Sequence, residues 1–536
     1  MVTISRASGS TRLTRTAEIV RYDQRDWISL GLLGVLAGVL LLAQLDQPYL
    51  WQDEAQTAVI SRTILDEGVP RGSDGLNFFS QEYGAEYAED HLWRWHTWLS
   101  FYTVAASFAL LGETTAAARL PFALLGLATV LLAYVTGRSL WRSRDAALAS
   151  GALLALSVPF LILSRQCRWY PMAAFFALLG LYAYGRIGPG EKRYSVLLFG
   201  AATLLFHTHY FYVATLLATL LVHSLWLERS RFPRVFAVSA AVTLVNAPWI
   251  LWFAGIRYGE AYAGYLSSLG VSLQIGSHLG QDLFVYFLNP LFLAIPVGLV
   301  VLRRAKGLRG SGVSAETASA IALLSIFCAT SLLALAFVAP GAFFRYLTPL
   351  AAPAMLLAGG MLGALARFSR VAAVAVFAGW LALSPIRDFV YEISHDFDGP
   401  IEGIVQFLNQ RARPGDTVAI TYGDMPLKFY TKLRVIGGLT GEDLAEAQGA
   451  EWIIIRHHQQ KGPRVNVREK LVGLVVPEQY VRYDLPYPDT PFENREDPRF
   501  HLYRTASRGF PRVKVFGRTD AARAADAQAE RKPVAP

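Results

Sequence analysis

Two adjacent acids, Asp53 and Glu54, stand just beyond a long apolar run that closes at Leu45. Charge at a membrane boundary is costly unless it has a partner or a task. Two readings of the pair are open. Acids favour the first turn of a helix, and DEAQTAVISRTILDEG has an amphipathic helical pattern. A carboxylate at such a boundary can also take the proton of an attacking hydroxyl. The segment SRQCRWYP (164–171) joins two later apolar runs and carries Arg165, Arg168 and Tyr170. Its arginines either anchor to headgroups or grip a lipid phosphate or diphosphate, which the guanidinium fork fits. HTHYFY (207–212) places His207 and His209 two residues apart. That spacing shares a side only in an extended strand, so hydrogen bonding to an anionic ligand is favoured over metal binding. APGAFFRYLTPLAAP (339–353) adds Arg345, with Pro349 and Pro353 placed to distort a helix and free its carbonyls.

The elements that must position these residues are membrane helices. Of 536 residues, 53% are hydrophobic and 17% charged, against about 25% charged in ordinary soluble chains. Apolar runs near the bilayer-spanning length of about 20 residues fall at 27–45, 117–136, 146–163, 171–185, 195–208, 210–227, 235–253, 283–302, 318–338, 347–365 and 371–386. The first lacks a small-residue cleavage site and reads as a retained helix. The net charge of +9 lies largely in short loops between apolar runs, so nucleic acid is not an expected partner. Cys167 and Cys328 fit neither a disulfide framework nor a metal spacing, and read as small packing residues. No phosphate-binding glycine loop, dinucleotide fingerprint, Gly-x-Ser-x-Gly or His-Glu-x-x-His is present.

Loop charge sets the expected topology. Residues 92–112 form a further apolar candidate. If that segment does not cross, the loops GRSLWRSRD, RIGPGEKR, ERSRFPR, RRAKGLRG and ARFSR all fall on the cytoplasmic side, as the positive-inside rule requires. We read 92–112 as an interfacial helix whose Trp93, Trp95, Trp98 and Tyr102 suit the headgroup level. Residues 1–26 are then cytoplasmic, 27–389 form the transmembrane domain with eleven spans, and 46–116 form its first outer loop. That loop is rich in acids. The few basic residues on the outer side include Arg62, Arg71 and Arg94 within that loop and Arg119, Arg165, Arg168, Arg257 and Arg345 beyond it. After the last run, PIEGIVQFLNQRARPGDTVAITYGDMPLKFYTKL reads as helix, turn, strand, helix; AEWIIIRHH reads as a second strand and FHLYRTA as a third. The expectation is a small extracytoplasmic α/β domain over 390–507, with a disordered tail at 508–536.

With these motifs in this order, residues 27 to 390 resemble the membrane-embedded GT-C glycosyltransferases. The likeness is to the bacterial branch related to protein O-mannosyltransferases, aminoarabinose transferases and rhizobial galacturonosyltransferases. It is carried by WQDEAQTAVISRTILDEG, by ARLPFALLGLATVLLAYVTGRSLW, by SRQCRWYPMAAFFALLGLYAY, by HTHYFYV and by FFRYLTPLAAP. The resemblance implies a hexosyl- or pentosyltransferase of the bacterial inner membrane that uses a polyprenyl-phosphate sugar donor. The acceptor would be a lipid, a glycan or a protein, and transfer would occur at the extracytoplasmic face. Asp53 matches the family's catalytic acid, with inversion at the anomeric carbon. Glu54, Arg165, Arg168, Tyr170, His207, His209 and Arg345 are the substrate-binding candidates. In related sequences the position of Gln166 often carries an acid. Here it is neutral, so transfer is expected to need no metal and no other cofactor. Two other classes stay in view: a lipid or sugar transporter or flippase, which would keep ionisable groups near the bilayer midplane, and a non-catalytic subunit of an envelope glycosylation complex.

Overall fold

Helix α1 (Gln24–Leu42) starts at a capping box, in which Asp23 accepts the amides of Arg25 and Asp26 and Asp26 answers to the Asp23 amide. It opens a computed structural model that describes residues 21–82, 84–188, 190–254, 269–305, 313–396, 399–437, 444–456, 466–489, 511–521 and 523. The chain continues through α2 (Gln52–Glu67), α3 (Leu99–Leu111), α4 (Thr115–Trp141), α5 (Arg144–Ala155), α6 (Val158–Ser164), α7 (Tyr170–Arg186), α8 (Lys192–Thr208), α9 (Tyr210–Trp226) and α10 (Phe232–Ala254). Further helices at Leu269–Asp282, Pro290–Ala305, Ala315–Val338, Thr348–Phe368, Arg370–Leu383 and Ile386–Glu392 complete the bundle. Each apolar run of the sequence coincides with helix. Length and composition qualify five of the helices among the described residues to cross a membrane, or eight if each of three bent pairs counts as one span. The expected count of eleven is not reached on that measure. The reason is length: α7, α8 and α9 have 17 residues each, a rise of about 26 Å against a hydrocarbon core of about 30 Å.

The bundle is centred on Thr348–Phe368, which carries Gly359 and Gly363 four residues apart. A Cβ on Gly359 would lie 2.1 Å from the Ser150 hydroxyl, and one on Gly363 would lie 2.4 Å from the Ala146 Cβ. This is the small-residue approach by which membrane helices pack backbone to backbone. On the outer surface α1 shows Trp27, Leu32, Val35 and Val39, a face suited to lipid.

Residues 92–98 are irregular, tied by bridges from Leu92 to Arg71 and from Trp93 to Tyr87, and the helix begins only at Leu99. At 13 residues, α3 is too short to cross. One expectation here is overturned. Trp93 is fully buried, packed edge-on against Phe101 and His96. It is a core residue of the loop and does not sit at a headgroup surface.

The C-terminal domain is a five-stranded sheet in the order β2-β1-β3-β5-β4. Strands β1 (Thr417–Ile420), β2 (Arg434–Gly437) and β3 (Trp452–Ile455) pair in parallel. Strand β5 (Arg512–Arg518) runs antiparallel between β3 and β4 (Tyr480–Pro488). Helix Pro400–Arg411 covers one face with Ile401, Ile404, Val405 and Leu408. The helix, β1 and β3 fall where the sequence places them, whereas β2 and β4 were not anticipated. The expected strand FHLYRTA lies outside the described residues, as does Arg257. Strand β5 corrects the domain boundary, because it lies within the stretch read as tail. RVKVFGR alternates in burial, with Val513 and Val515 in the core, and that period of two outweighs the polar composition around it.

Candidate active site

Helix α2 follows α1 after a short turn, and its first residues diverge. Asp53 faces the turn between α6 and α7. Its carboxylate accepts from Gln81 Nε2 at 3.2 Å and lies 3.7 Å from Arg168 Nη2. Arg168 Nη1 also donates to the Asp53 carbonyl and to Thr57 Oγ1, both at 3.1 Å. Thr57 is one helical turn beyond Asp53, so a single guanidinium ties down the start of α2.

Glu54 faces the other way and is completely buried. Arg119 on α4 holds it by two parallel bonds, Nε to Oε1 at 2.8 Å and Nη2 to Oε2 at 2.6 Å. The Cys167 amide adds a 2.6 Å bond to Oε1. Arg119 then donates to the carbonyls of Leu45, Pro48 and Tyr49. Glu54 therefore sutures α2, α4 and the 164–171 turn together. That geometry is a positioning role, unlike the ligand contact expected of it.

The same turn separates its two arginines. Arg165 donates to the carbonyls of Leu40, Leu41 and Gln44, covering the open C-terminal end of α1. With Arg119, Gln166 and Glu392 it lines a small separate cavity. Arg165 is thus not brought to Asp53, whereas Arg168 is. Tyr170 joins Arg168: the charges of Asp53, Arg168 and Arg345 all bear on the buried Tyr170 hydroxyl and on the half-buried Tyr346. Arg345 lies over the Phe343 ring at 4.2 Å. Trp169 forms a wall, its ring 4.2 Å from His209, 4.6 Å from Tyr170 and 6.3 Å from Tyr346.

The histidines also part. His209 sits at the break between α8 and α9, against Trp169. His207 packs edge-on against Trp249 at 5.4 Å, in the aromatic cluster of Trp98 and Trp252. Among the described residues no three His, Cys, Asp or Glu side chains gather as a metal site. His96 approaches the site from the loop between α2 and α3. Both His96 and His209 keep some open surface yet are enclosed by side chains. Burial, reinforced by the nearby Arg168 charge, pushes each imidazole down to about 3, so both are neutral hydrogen-bonding groups.

Three polar atoms at this site are buried and make no hydrogen bond of good geometry among the described residues: Arg168 Nε, the Tyr170 hydroxyl and His209 Nδ1, although Arg168 and Tyr170 are close enough to interact. Buried polar atoms are nearly always paired. A cluster of such atoms beside a carboxylate can take up a polar ligand. Sequence reasoning missed Gln81, His96, Trp169 and Tyr346, none of which stands out by type or spacing. Arg119 was visible as an outer cation, without its partner.

The loop that brings Gln81 to Asp53 is organised by Glu86. Its carboxylate accepts from the Ser80 hydroxyl and from the Gln81 and Glu82 amides. Burial pushes the Glu86 carboxyl up to about 7, while these donors pull the other way.

No protein-family model matches this chain, and no curated protein does. Solved structures do. ArnT from Cupriavidus metallidurans in the apo state aligns over 91% of this chain and 97% of its own, at 15% identity and a TM-score of 0.53. Arabinofuranosyltransferase AftD from Mycobacteria aligns over 93% of this chain and 40% of its own, at 13% identity and a TM-score of 0.50. The fold of this chain is that of the GT-C membrane glycosyltransferases.

Proposed function

We propose that this chain is an inverting glycosyltransferase that moves a sugar from a polyprenyl-phosphate donor to an acceptor hydroxyl at the extracytoplasmic face of a bacterial inner membrane. The observation that carries the reading is the cluster at Asp53: a carboxylate beside Arg168, with Arg168 Nε, the Tyr170 hydroxyl and His209 Nδ1 buried and making no well-formed hydrogen bond among the described residues. In this reading Asp53 takes the acceptor proton as the acceptor oxygen attacks the anomeric carbon. The bond from that carbon to the lipid phosphate oxygen breaks, and its electron pair leaves with the phosphate. Arg168, Arg345 and the Tyr170 hydroxyl stabilise the charge that develops there. Trp169 and Tyr346 offer aromatic faces to the sugar. A lipid phosphate leaves readily, so a single base suffices and no metal is called on. The prenyl chain, buried along the helices, adds binding at about 0.8 kcal/mol per methylene.

The test is transfer by the purified chain from a panel of undecaprenyl-phosphate sugars, read as undecaprenyl phosphate release by mass spectrometry. Release that requires both an acceptor and Asp53 supports the reading. Equal release by Asp53→Asn removes it.

A further inference from the structure

Asp53 is oriented by neighbours that the C-terminal domain holds in turn. Gln52 precedes it in the chain, and the 77–82 segment delivers Gln81 to its carboxylate. One helix of the C-terminal domain, Asp424–Tyr430, grips both. Gln52 Nε2 donates to Asp424 Oδ1 at 2.7 Å, and Gln52 Oε1 has no hydrogen bond among the described residues. Lys428 Nζ donates to the Phe78 carbonyl at 2.6 Å and pairs with Asp424 Oδ2 at 3.2 Å. Both members of that pair are fully buried. Asn77 closes the same segment onto β2, donating to the Leu433 carbonyl at 3.1 Å and accepting the Val435 amide at 2.7 Å.

The local sequence is shaped for this pair. Gly423 caps the helix at φ +96°, a conformation open to glycine. Gly437, at the end of β2, leaves the space that Asp424 fills, since a Cβ there would lie 2.3 Å from its Cγ. A buried ion pair is a poor source of stability because desolvating both charges offsets their attraction. It does fix geometry when its remaining bonds are satisfied. Here those bonds run to the two segments on either side of Asp53.

We propose that the Asp424–Lys428 pair is a positioning device for the proposed base, through which the C-terminal domain sets the Asp53 carboxylate for attack. The inference rests on the reading of Asp53 as the base. Asp424 and Lys428 touch no substrate in it and act through Gln52 and the 77–82 segment.

The experiment uses the full chain in nanodiscs, with the undecaprenyl-phosphate sugar panel as donor probe. Asp53→Asn, Asp424→Ala, Asp424→Asn and Leu408→Ala are compared with the parent. Asp424→Ala is expected to lower kcat about tenfold, with KM for the donor within about twofold, as a misplaced base does. Asp424→Asn keeps an oxygen for Gln52 but leaves the buried Lys428 charge without its carboxylate, so it recovers only part of the loss. Leu408→Ala opens a cavity in the core of the same domain, lowers Tm and keeps kcat within about twofold. Parent-like kcat in Asp424→Ala, with Asp53→Asn inactive, overturns the positioning role alone. An equal kcat loss in Leu408→Ala also overturns it. Parent-like turnover in Asp53→Asn overturns the base instead. Hydrogen exchange gives a reading independent of turnover: amides at 77–82 exchange faster in Asp424→Ala while β1 keeps its protection, and unchanged exchange at 77–82 overturns the proposal.

Discussion

Asp53 and Glu54 are neighbours in the chain and opposites in their surroundings. On the Glu54 side, both carboxylate oxygens are bonded, and Arg119 and Arg165 spend their donors on carbonyls at the end of α1 and in the turn after it. On the Asp53 side, Arg168 holds the carboxylate at 3.7 Å, and three buried polar atoms have no hydrogen bond of good geometry among the described residues. The residue types are nearly the same on both sides: an acid, arginines and parts of one turn. Saturation distinguishes them. In the proposed reading the fully bonded Glu54–Arg119 pair is scaffold, while the loosely bonded Asp53–Arg168 pair meets the ligand.

The comparison breaks first at the acids. Glu54→Ala leaves the Arg119 guanidinium buried without its partner. Such a loss costs about 3–5 kcal/mol, so folded yield and Tm are expected to fall steeply. Asp53→Ala is expected to keep Tm near the parent value, because among the described residues its carboxylate has one hydrogen bond, of 3.2 Å, and a loose ion pair. A similar Tm loss in both variants, by thermal unfolding in detergent, would erase the distinction.

The arginines come next. Arg168→Ala is expected to lower kcat/KM for the donor about 100-fold, the scale of a lost charge-assisted contact. Arg165→Ala is expected to lower Tm and leave kcat/KM within a few-fold. The reverse ranking would move the site to the Arg165 cavity.

The smallest effect sharpens the loop that carries Gln81. The Glu86 carboxyl is raised from its ordinary 4.5 to about 7, so between those values the folded state binds more protons than the unfolded one. Stability from this group is complete below pH about 4.5 and declines as pH rises toward 7. Glu86→Gln is expected to flatten the Tm profile across that window, measured by thermal unfolding at a series of pH values. An unaltered profile would mean that the hydrogen-bond donors on Glu86 outweigh its burial.

Much of the bundle was legible in the sequence because hydropathy is a local property, and each apolar run became helix. The short α7, α8 and α9 show where it stopped: composition marks a membrane helix without fixing how far it reaches. Strand β5 was missed because only Val513 and Val515 mark its alternation within a stretch whose composition reads as polar tail. The site was legible only in part. Asp53, Arg168, Tyr170, His209 and Arg345 were named and are brought together. Arg165 and His207 were named on the same grounds and turn away, Arg165 to cover the carbonyls at the end of α1 and His207, still within α8, to pack on Trp249. Asp424 and Lys428 lie more than 300 residues from Gln52 and Phe78. No local pattern could pair them.

The most direct test of the account is kcat at saturating donor and acceptor for Asp53→Asn beside the parent. A lost general base is expected to lower kcat by about 100- to 10,000-fold, with undecaprenyl phosphate binding retained through Arg168 and Arg345. Turnover by Asp53→Asn within a few-fold of the parent would contradict it.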